Sequence, residues 1–310
     1  MNGVSAFVVT PTPDASASGG ELLRNVRLAD HTSWRVGGNA DRFYWPAGSE
    51  GLVRFLQQLP DDEPLFWLGL GSNLLVRDGG IRGTVICTRG RLKDMNRIAE
   101  NRIYVEAGVP SAHVARFCVE QGCAGAEFLA GIPGTMGGAL AMNAGAFGGE
   151  TWSLVDHVLT VDRSGVVRKR FKSEYAIGYR SVAGADGEWF LAAELKLETG
   201  DVDAGKEKIR ALLAGRAAAQ PTNQPNCGSV FRNPEGDFAA RLIESSGLKG
   251  YAIGDAQVSM KHANFIVNLG SARATDIEAL IYHVQQQVAM RHGTTLLPEV
   301  RIVGVAMEEV

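Results

Sequence analysis

The chain lacks any apolar run long enough to cross a membrane, and its start lacks the basic segment and hydrophobic core of a secretory signal. It has no excess of positive charge either. Its 31 Lys and Arg against 34 Asp and Glu give a net charge of -3, with the basic residues scattered. That balance argues against nucleic acid as a main partner. Cysteine is scarce: Cys87, Cys118, Cys123 and Cys227 form no Cys-x-x-Cys pair and no Cys/His cluster. A zinc or iron–sulfur site is therefore not expected, and the cysteine usage fits a reducing cytoplasm. Internal repeats are absent. What remains is the profile of a soluble globular protein: 310 residues, 45% hydrophobic and 21% charged, a length that suggests two or three domains.

Glycine, by contrast, is concentrated. The stretch from Ala130 to Gly149 holds Gly131, Gly134, Gly137, Gly138, Gly145, Gly148 and Gly149. Each glycine inside a helix or strand costs roughly 0.5–1 kcal/mol relative to alanine. Such density fits a backbone that wraps a ligand with bare N–H groups, and an extended anion such as a pyrophosphate suits it. A flexible linker would carry more Ser, Asp, Lys and Glu than this segment, which holds Ile132, Met136, Leu140, Met142 and Phe147. A second turn, Gly69-Leu70-Gly71-Ser72-Asn73-Leu74, follows a strand-like run. It has the Gly-x-Gly of a dinucleotide fingerprint, but Leu74 stands where the third glycine belongs, and no Gly-Lys-Ser/Thr is present. Alone it is weak evidence; two such turns beside strand signals point to phosphate binding.

Short strand and helix patterns alternate along the chain. Residues 1–20 are expected to be a disordered lead-in, because 11–20 are polar and poor in apolar residues. Strands are expected at Phe43–Trp45, Leu65–Leu68, Thr84–Thr88, Ile103–Glu106 and Phe190–Leu197, with a hairpin of Leu154–Asp162 and Val166–Phe171. Helical spacing runs from Ser49 through Val53, Leu56 and Leu59, and again through Val114, Phe117 and Cys118 to Gly122. The character changes near residues 200–205. A helix through Ile209, Leu212 and Leu213 leads into the connector Gln220–Pro225, followed by a helix near Phe238–Glu244 and a strand at Asn264–Leu269. A final helix carries a Thr275–Glu278 capping box and a stripe of Ile277, Leu280, Ile281, Val284 and Val288, and strand Glu299–Val305 closes the chain. The mixed order favours α+β over a doubly wound parallel sheet.

Several residues have the right chemistry for a site but are ambiguous singly. Ser229 follows Gly228 without the Gly-x-Ser-x-Gly of a hydrolase elbow, and serines in such places are most often plain turn residues. Arg180, after Tyr179, is either a surface ion-pair partner or a bidentate grip on a carboxylate. Glu299 stands at a strand entrance, where glutamate is more often exposed than catalytic. His262, in Lys261-His262-Ala263-Asn264, is a base or a satisfied loop histidine.

Taken in order, the motifs His31-Thr32-Ser33-Trp34-Arg35-Val36-Gly37-Gly38, Gly69–Val76, Ala130–Gly149, Tyr179-Arg180-Ser181, Gly228–Pro234, Lys261–Asn264 and Pro298-Glu299 closely resemble the UDP-N-acetylenolpyruvoylglucosamine reductase family over roughly residues 25–305. The resemblance implies an α+β fold: a two-part FAD-binding domain of the vanillyl-alcohol-oxidase (PCMH) type over 21–200, in halves of about 21–90 and 91–200, then a smaller α+β substrate domain over 201–310. It implies that Gly69, Gly71, Ser72, Asn73 and Leu74, with Gly131, Ile132, Pro133, Gly134, Gly137, Gly138, Asn143 and Gly145, hold FAD. The first turn has no histidine to tether the flavin, so the FAD is expected to be non-covalent. By the same resemblance NADPH is the hydride donor and UDP-N-acetylglucosamine enolpyruvate the acceptor, and no obligatory protein partner is evident. Arg180 and Glu299 match residues that stabilise the enolate formed as C3 receives hydride, and Ser229 matches the proton donor to C2. Tyr179, Asn233 and Lys261 are the matching substrate-binding positions. The chain departs from related sequences in carrying Arg216 followed by Ala217-Ala218-Ala219, where extra basic residues are common. The compact stretch from Gly236 to Asn264 resembles the shorter class, without a tyrosine-bearing lid loop. Another FAD-dependent oxidase or dehydrogenase of the same fold, or a flavin-binding module without turnover, would share the cradle.

Overall fold

In the computed structural model residues 19–307 are described, so all but the last two positions of the expected lead-in lie outside the described residues. The first unit is a four-stranded sheet in the order Glu21–Arg27, Asn39–Trp45, Ile81–Cys87, Leu65–Leu68. Its first pair is antiparallel and the other two are parallel. The parallel connection is made by helix α1 (Ser49–Gln58), whose Leu52, Phe55 and Leu56 fall at i, i+3 and i+4 and are buried together. The Phe55 ring stacks on Tyr44 with centroids 3.6 Å apart. The same cluster takes in Val161 and Leu191 of the next sheet, which fixes the two halves face to helix.

That second sheet is antiparallel throughout, in the order Val167–Phe171, Val155–Asp162, Glu188–Lys196, Arg102–Glu106, Met95–Ala99. The expected hairpin is present. Its turn is held by the Asp162 carboxylate, which accepts from the main-chain N–H groups of Ser164 and Val166. Helices α2 (Ser111–Glu120), α3 (Met136–Ala141) and α4 (Val202–Ala219) supply Val114, Cys118, Leu140 and Ile209 to one core with Leu195 of the sheet. The expected boundary near residue 200 falls just before α4. Helix α4 docks on α2 and on the tight turn Glu127–Gly131, because Ile209 and Leu213 need the apolar surface there. The third unit begins only after the connector.

The third unit packs α5 (Ala239–Ser245) and α6 (Ala274–His292) against a small antiparallel sheet of Ala252–Ile253, Ala256–Val258 and Ile266–Asn268. The predicted stripe of α6 is buried. Its core is not self-contained, for Trp34, Val36 and Leu75 of the first unit sit inside it. Trp34 donates its indole N–H to the Ile266 carbonyl at 2.7 Å, and Asn268 donates back to the Trp34 carbonyl at 2.9 Å. The last strand, Arg301–Val303, then pairs in parallel with Leu74–Val76.

The start of α6 corrects the expected capping box. The helix begins at Ala274, one residue before Thr275, and the Asp276 carboxylate accepts from the Arg273 N–H. The freed donors of the first turn are met from the first unit. Asp78 accepts from the N–H groups of Ala274 (3.0 Å) and Thr275 (2.9 Å) and from the Thr275 hydroxyl. Glu278 instead pairs with Arg77. Removing a capping carboxylate costs about 0.5–2 kcal/mol. Asp78→Ala should therefore lower the stability of the apoprotein in urea unfolding by about 1–2 kcal/mol. Glu278→Ala, which breaks a pair one-third exposed on both sides, should cost less than about 1 kcal/mol.

Candidate active site

The first glycine turn begins where strand Leu65–Leu68 ends. Gly71 has φ +63, and a Cβ there would lie 2.3 Å from the His31 carbonyl oxygen, so the turn needs glycine for both conformation and space. Among the described residues, the main-chain N–H groups of Leu70, Gly71, Ser72 and Asn73 have no protein acceptor. The second glycine run closes on this turn. A Cβ on Gly134 would meet the Ser72 hydroxyl at 3.3 Å, and one on Gly69 would meet the Thr135 hydroxyl at 2.5 Å. Thr135 is buried, and its Oγ1 has no hydrogen-bond partner among the described residues. Leu70, Ser72 and Pro133 line a cleft of about 940 Å³, shared with Arg27, Arg35, Arg89 and Arg216. Four arginines and a turn of free N–H groups, against the single carboxylate of Asp30, give this cleft donors suited to an anion. His31 on the cleft wall is kept toward its neutral form, because burial lowers its pKa despite the nearby Asp30.

Arg180 and Glu299, far apart in sequence, form an ion pair with Nε and Oε1 2.9 Å apart, although that N–H is not aimed at the oxygen. Both side chains are largely buried. Arg180 sits at the tip of the hairpin Ala176–Gly178/Ser181–Ala183 with φ +53. Its Nη2 donates to the Gly145 carbonyl at 2.8 Å, and its guanidinium lies over the exposed Tyr179 ring. Burial raises the Glu299 pKa, opposed by the positive charges of Arg180 and Arg232. Glu299 donates its N–H to the Val230 carbonyl at 2.8 Å, which brings half-buried Ser229, one residue earlier, into the same region. Asn264 fixes that segment: its carbonyl accepts from Val230, and its amide exchanges hydrogen bonds with the main chain of Phe231.

Residues 40–169 match an FAD binding domain, and residues 220–303 match the C-terminal domain of UDP-N-acetylenolpyruvoylglucosamine reductase. The reductase of Methylococcus capsulatus is 64% identical over 292 residues, covering 94% of this chain and 96% of its own length. That of Nitrosococcus oceani is 55% identical, covering 98% and 99%. The crystal structure of the Thermus caldophilus reductase superposes with a TM-score of 0.78 at 33% identity, over 89% of this chain and 97% of that one. The chain belongs to the UDP-N-acetylenolpyruvoylglucosamine reductase family. It is an FAD-dependent oxidoreductase whose fold is the expected two-part FAD-binding domain of PCMH type followed by a smaller α+β domain.

The residues present fit FAD, since the orphaned Thr135 hydroxyl, the free N–H groups and the arginines together suit a pyrophosphate-linked cofactor. Some family positions do other work. Gly137 is a packing glycine, where a Cβ would lie 2.9 Å from that of Ala107. A Cβ on Gly131 would meet the Phe147 ring, whereas Gly138 has room to spare. Asn143, expected among the cofactor ligands, is 1% exposed, and its side-chain amide bonds to Glu150, Gly178 and Trp152 within the protein. Asn233 spends its Oδ1 on the Ala239 N–H at the start of α5. Lys261 reaches across to the Ala217 carbonyl at 2.5 Å, bringing a lysine to the Ala217-Ala218-Ala219 stretch. His262 is only lowered in pKa by burial and packs edge-on against Phe265.

Sequence reasoning missed Thr135, Arg27, Arg89 and Arg232. Thr135 was legible in principle as the one hydroxyl residue inside the second glycine run. The scattered arginines carried no signal, because only the fold gathers them. A lost hydrogen bond costs about 0.5–1.5 kcal/mol. Thr135→Val should thus leave apoprotein stability unchanged or raised while weakening FAD about 3- to 10-fold. Thermal unfolding and FAD titration of the same preparation check both parts.

Proposed function

We propose that this protein reduces the enolpyruvyl group of UDP-N-acetylglucosamine enolpyruvate to the lactyl ether, giving UDP-N-acetylmuramate for peptidoglycan precursor synthesis, with NADPH as hydride donor. The observation that carries this reading is the buried Arg180–Glu299 pair, set beside the glycine cradle and the Ser229 segment. Bound FAD supplies hydride transfer to C3 of the enolpyruvyl group. The chain's own residues then manage charge and proton. As C2 gains carbanion character, negative charge spreads onto the substrate carboxylate. The Arg180 guanidinium, pre-positioned by Gly145, offers a fixed positive charge for it in a water-poor site. An ionised Glu299 would repel that charge. Burial raises its pKa toward the protonated form, opposed by the charges of Arg180 and Arg232.

Ser229 holds the proton for C2. A serine hydroxyl is a weak acid near pH 7, but a strongly basic carbanion within hydrogen-bond reach can take its proton, so placement matters more than pKa. Tyr179, exposed beside Arg180, and Lys261 and Asn233 on the third unit remain the substrate-binding residues in this reading, with the main chain of the first glycine turn on FAD. The buried free cysteines suit work in the reducing cytoplasm. Among the described residues no helix is long and apolar enough to cross a membrane.

The test separates the two half-reactions. In stopped flow, Ser229→Ala should keep the wild-type rate of flavin bleaching by NADPH. Its reoxidation by the enolpyruvyl sugar should fall by about 10²–10³-fold, the usual scale for losing one preorganised group. Equal loss in both halves would remove Ser229 from the proton step. Wild-type enzyme whose reduced flavin reacts rapidly with air but not with the sugar would point to an oxidase.

A further inference from the structure

Two asparagines in the glycine segments do not line the cleft but bond to the main chain at or near the ion pair. Asn73 donates its amide to the Glu299 carbonyl at 3.1 Å and to the Met142 sulfur at 3.5 Å, while its own carbonyl accepts from Arg301 at 3.0 Å. Asn143 follows Met142. It donates to the Gly178 carbonyl (3.2 Å) and to the Glu150 carboxylate (2.9 Å), and accepts from the Trp152 N–H (3.1 Å). Gly178 lies two residues before Arg180, in the last ladder pair (with Ser181) before the turn that carries it. Asn143 adopts φ +45, a conformation asparagine tolerates better than most residues. Both side chains therefore support the main chain that carries one member of the Arg180–Glu299 pair, and the Asn73–Met142 contact joins them.

We propose that Asn73 and Asn143 are positioning residues for sugar reduction, holding Glu299 and the Arg180 hairpin in register across the boundary between cofactor cradle and third unit. The proposal rests on the functional reading above for its kinetic arm alone. A misplacement of about 1 Å can cost about 10²-fold in rate. Neither side-chain amide is then needed to hold FAD, and an alanine at either position keeps its main-chain N–H for that purpose.

The experiment compares Asn73→Ala and Asn143→Ala holoenzymes with wild type. FAD affinity and the rate of flavin reduction by NADPH should stay within about threefold, while reoxidation by the enolpyruvyl sugar slows by about 10- to 100-fold. In the double variant Asn143→Ala/Arg180→Ala, reoxidation should be no slower than in Arg180→Ala, because residues acting as a unit are non-additive. Hydrogen–deuterium exchange gives a second readout that needs no substrate. Exchange in 176–183 should speed at least tenfold in Asn143→Ala, and exchange in 299–303 should do so in Asn73→Ala. Should Asn143→Ala not fold, Asn143→Ser replaces it with the same expectations. A drop of tenfold or more in FAD affinity with unchanged reoxidation would overturn the proposal and return the asparagines to the cofactor, as would unaltered exchange. If wild-type enzyme fails to reduce the sugar, the functional reading fails, and the exchange result still decides the positioning role.

Discussion

The parallel pairing of Arg301–Val303 with Leu74–Val76 is the constraint on which the rest of the site depends. It joins the end of the chain to the strand that follows the first glycine turn, so the residue entering the last strand must lie beside that turn. Glu299 stands two residues before that strand, and Asn73 is the turn residue that meets its main-chain carbonyl. Without this ladder the third unit would carry Glu299 and Ser229 on a body free to move relative to the cofactor cradle. Two further connections reinforce the ladder from either side. Trp34 is buried in the core of the third unit, and Asp78 caps α6 from the first. All three connections originate in the first unit, within residues 31–78, which explains why that short region is dense in motif residues.

The two glycine segments close on one another, but their physical roles divide. In the first, Gly71 frees the main chain to turn under His31, and the N–H groups that follow face outward. In the second, Gly137 lets α3 approach Ala107, Gly145 makes room for the Arg180 guanidinium, and Gly134 lets the segment close on Ser72. A glycine-rich run can therefore mark close approach of protein to protein as well as protein to ligand. Composition alone does not distinguish these cases, since both need a missing Cβ.

That ambiguity explains how much was legible in the sequence. The helices α1, α2 and α6 and the hairpin of the second sheet were readable, because their apolar spacing is local and each buries one face. The ordered motifs were enough to name the family and its cofactor. The roles of Asn143 and Asn233 were not legible, because what an amide bonds to depends on main-chain atoms brought up by the fold. The start of α6 was misread for a similar reason. Thr275 and Glu278 have capping-box spacing, yet the actual cap is Asp78, nearly two hundred residues earlier in the chain. The docking of α4 was not legible, because a change in composition reports the local polarity of a helix, not the surface on which it docks.

The Arg180–Glu299 pair is difficult to explain as a source of stability. Removing two charges from water costs several kcal/mol per ion, and attraction repays that only with good geometry and further hydrogen bonds. Here the Arg180 Nε is not directed at its partner, and burial works against the ionised form of Glu299. Arg180 also adopts a left-handed backbone conformation at a hairpin tip, φ +53, where glycine or asparagine is favoured. A pair selected for stability would not combine burial, imperfect geometry and a strained backbone. A pair placed to receive a third charged group would tolerate all three, because an incoming group can complete hydrogen bonds left unmet in its absence. The cost is carried by surrounding contacts, the Gly145 carbonyl and the two asparagines among them. Strain of this kind persists only where neighbouring structure over-determines it, and at this hairpin the neighbouring structure is the cofactor cradle itself.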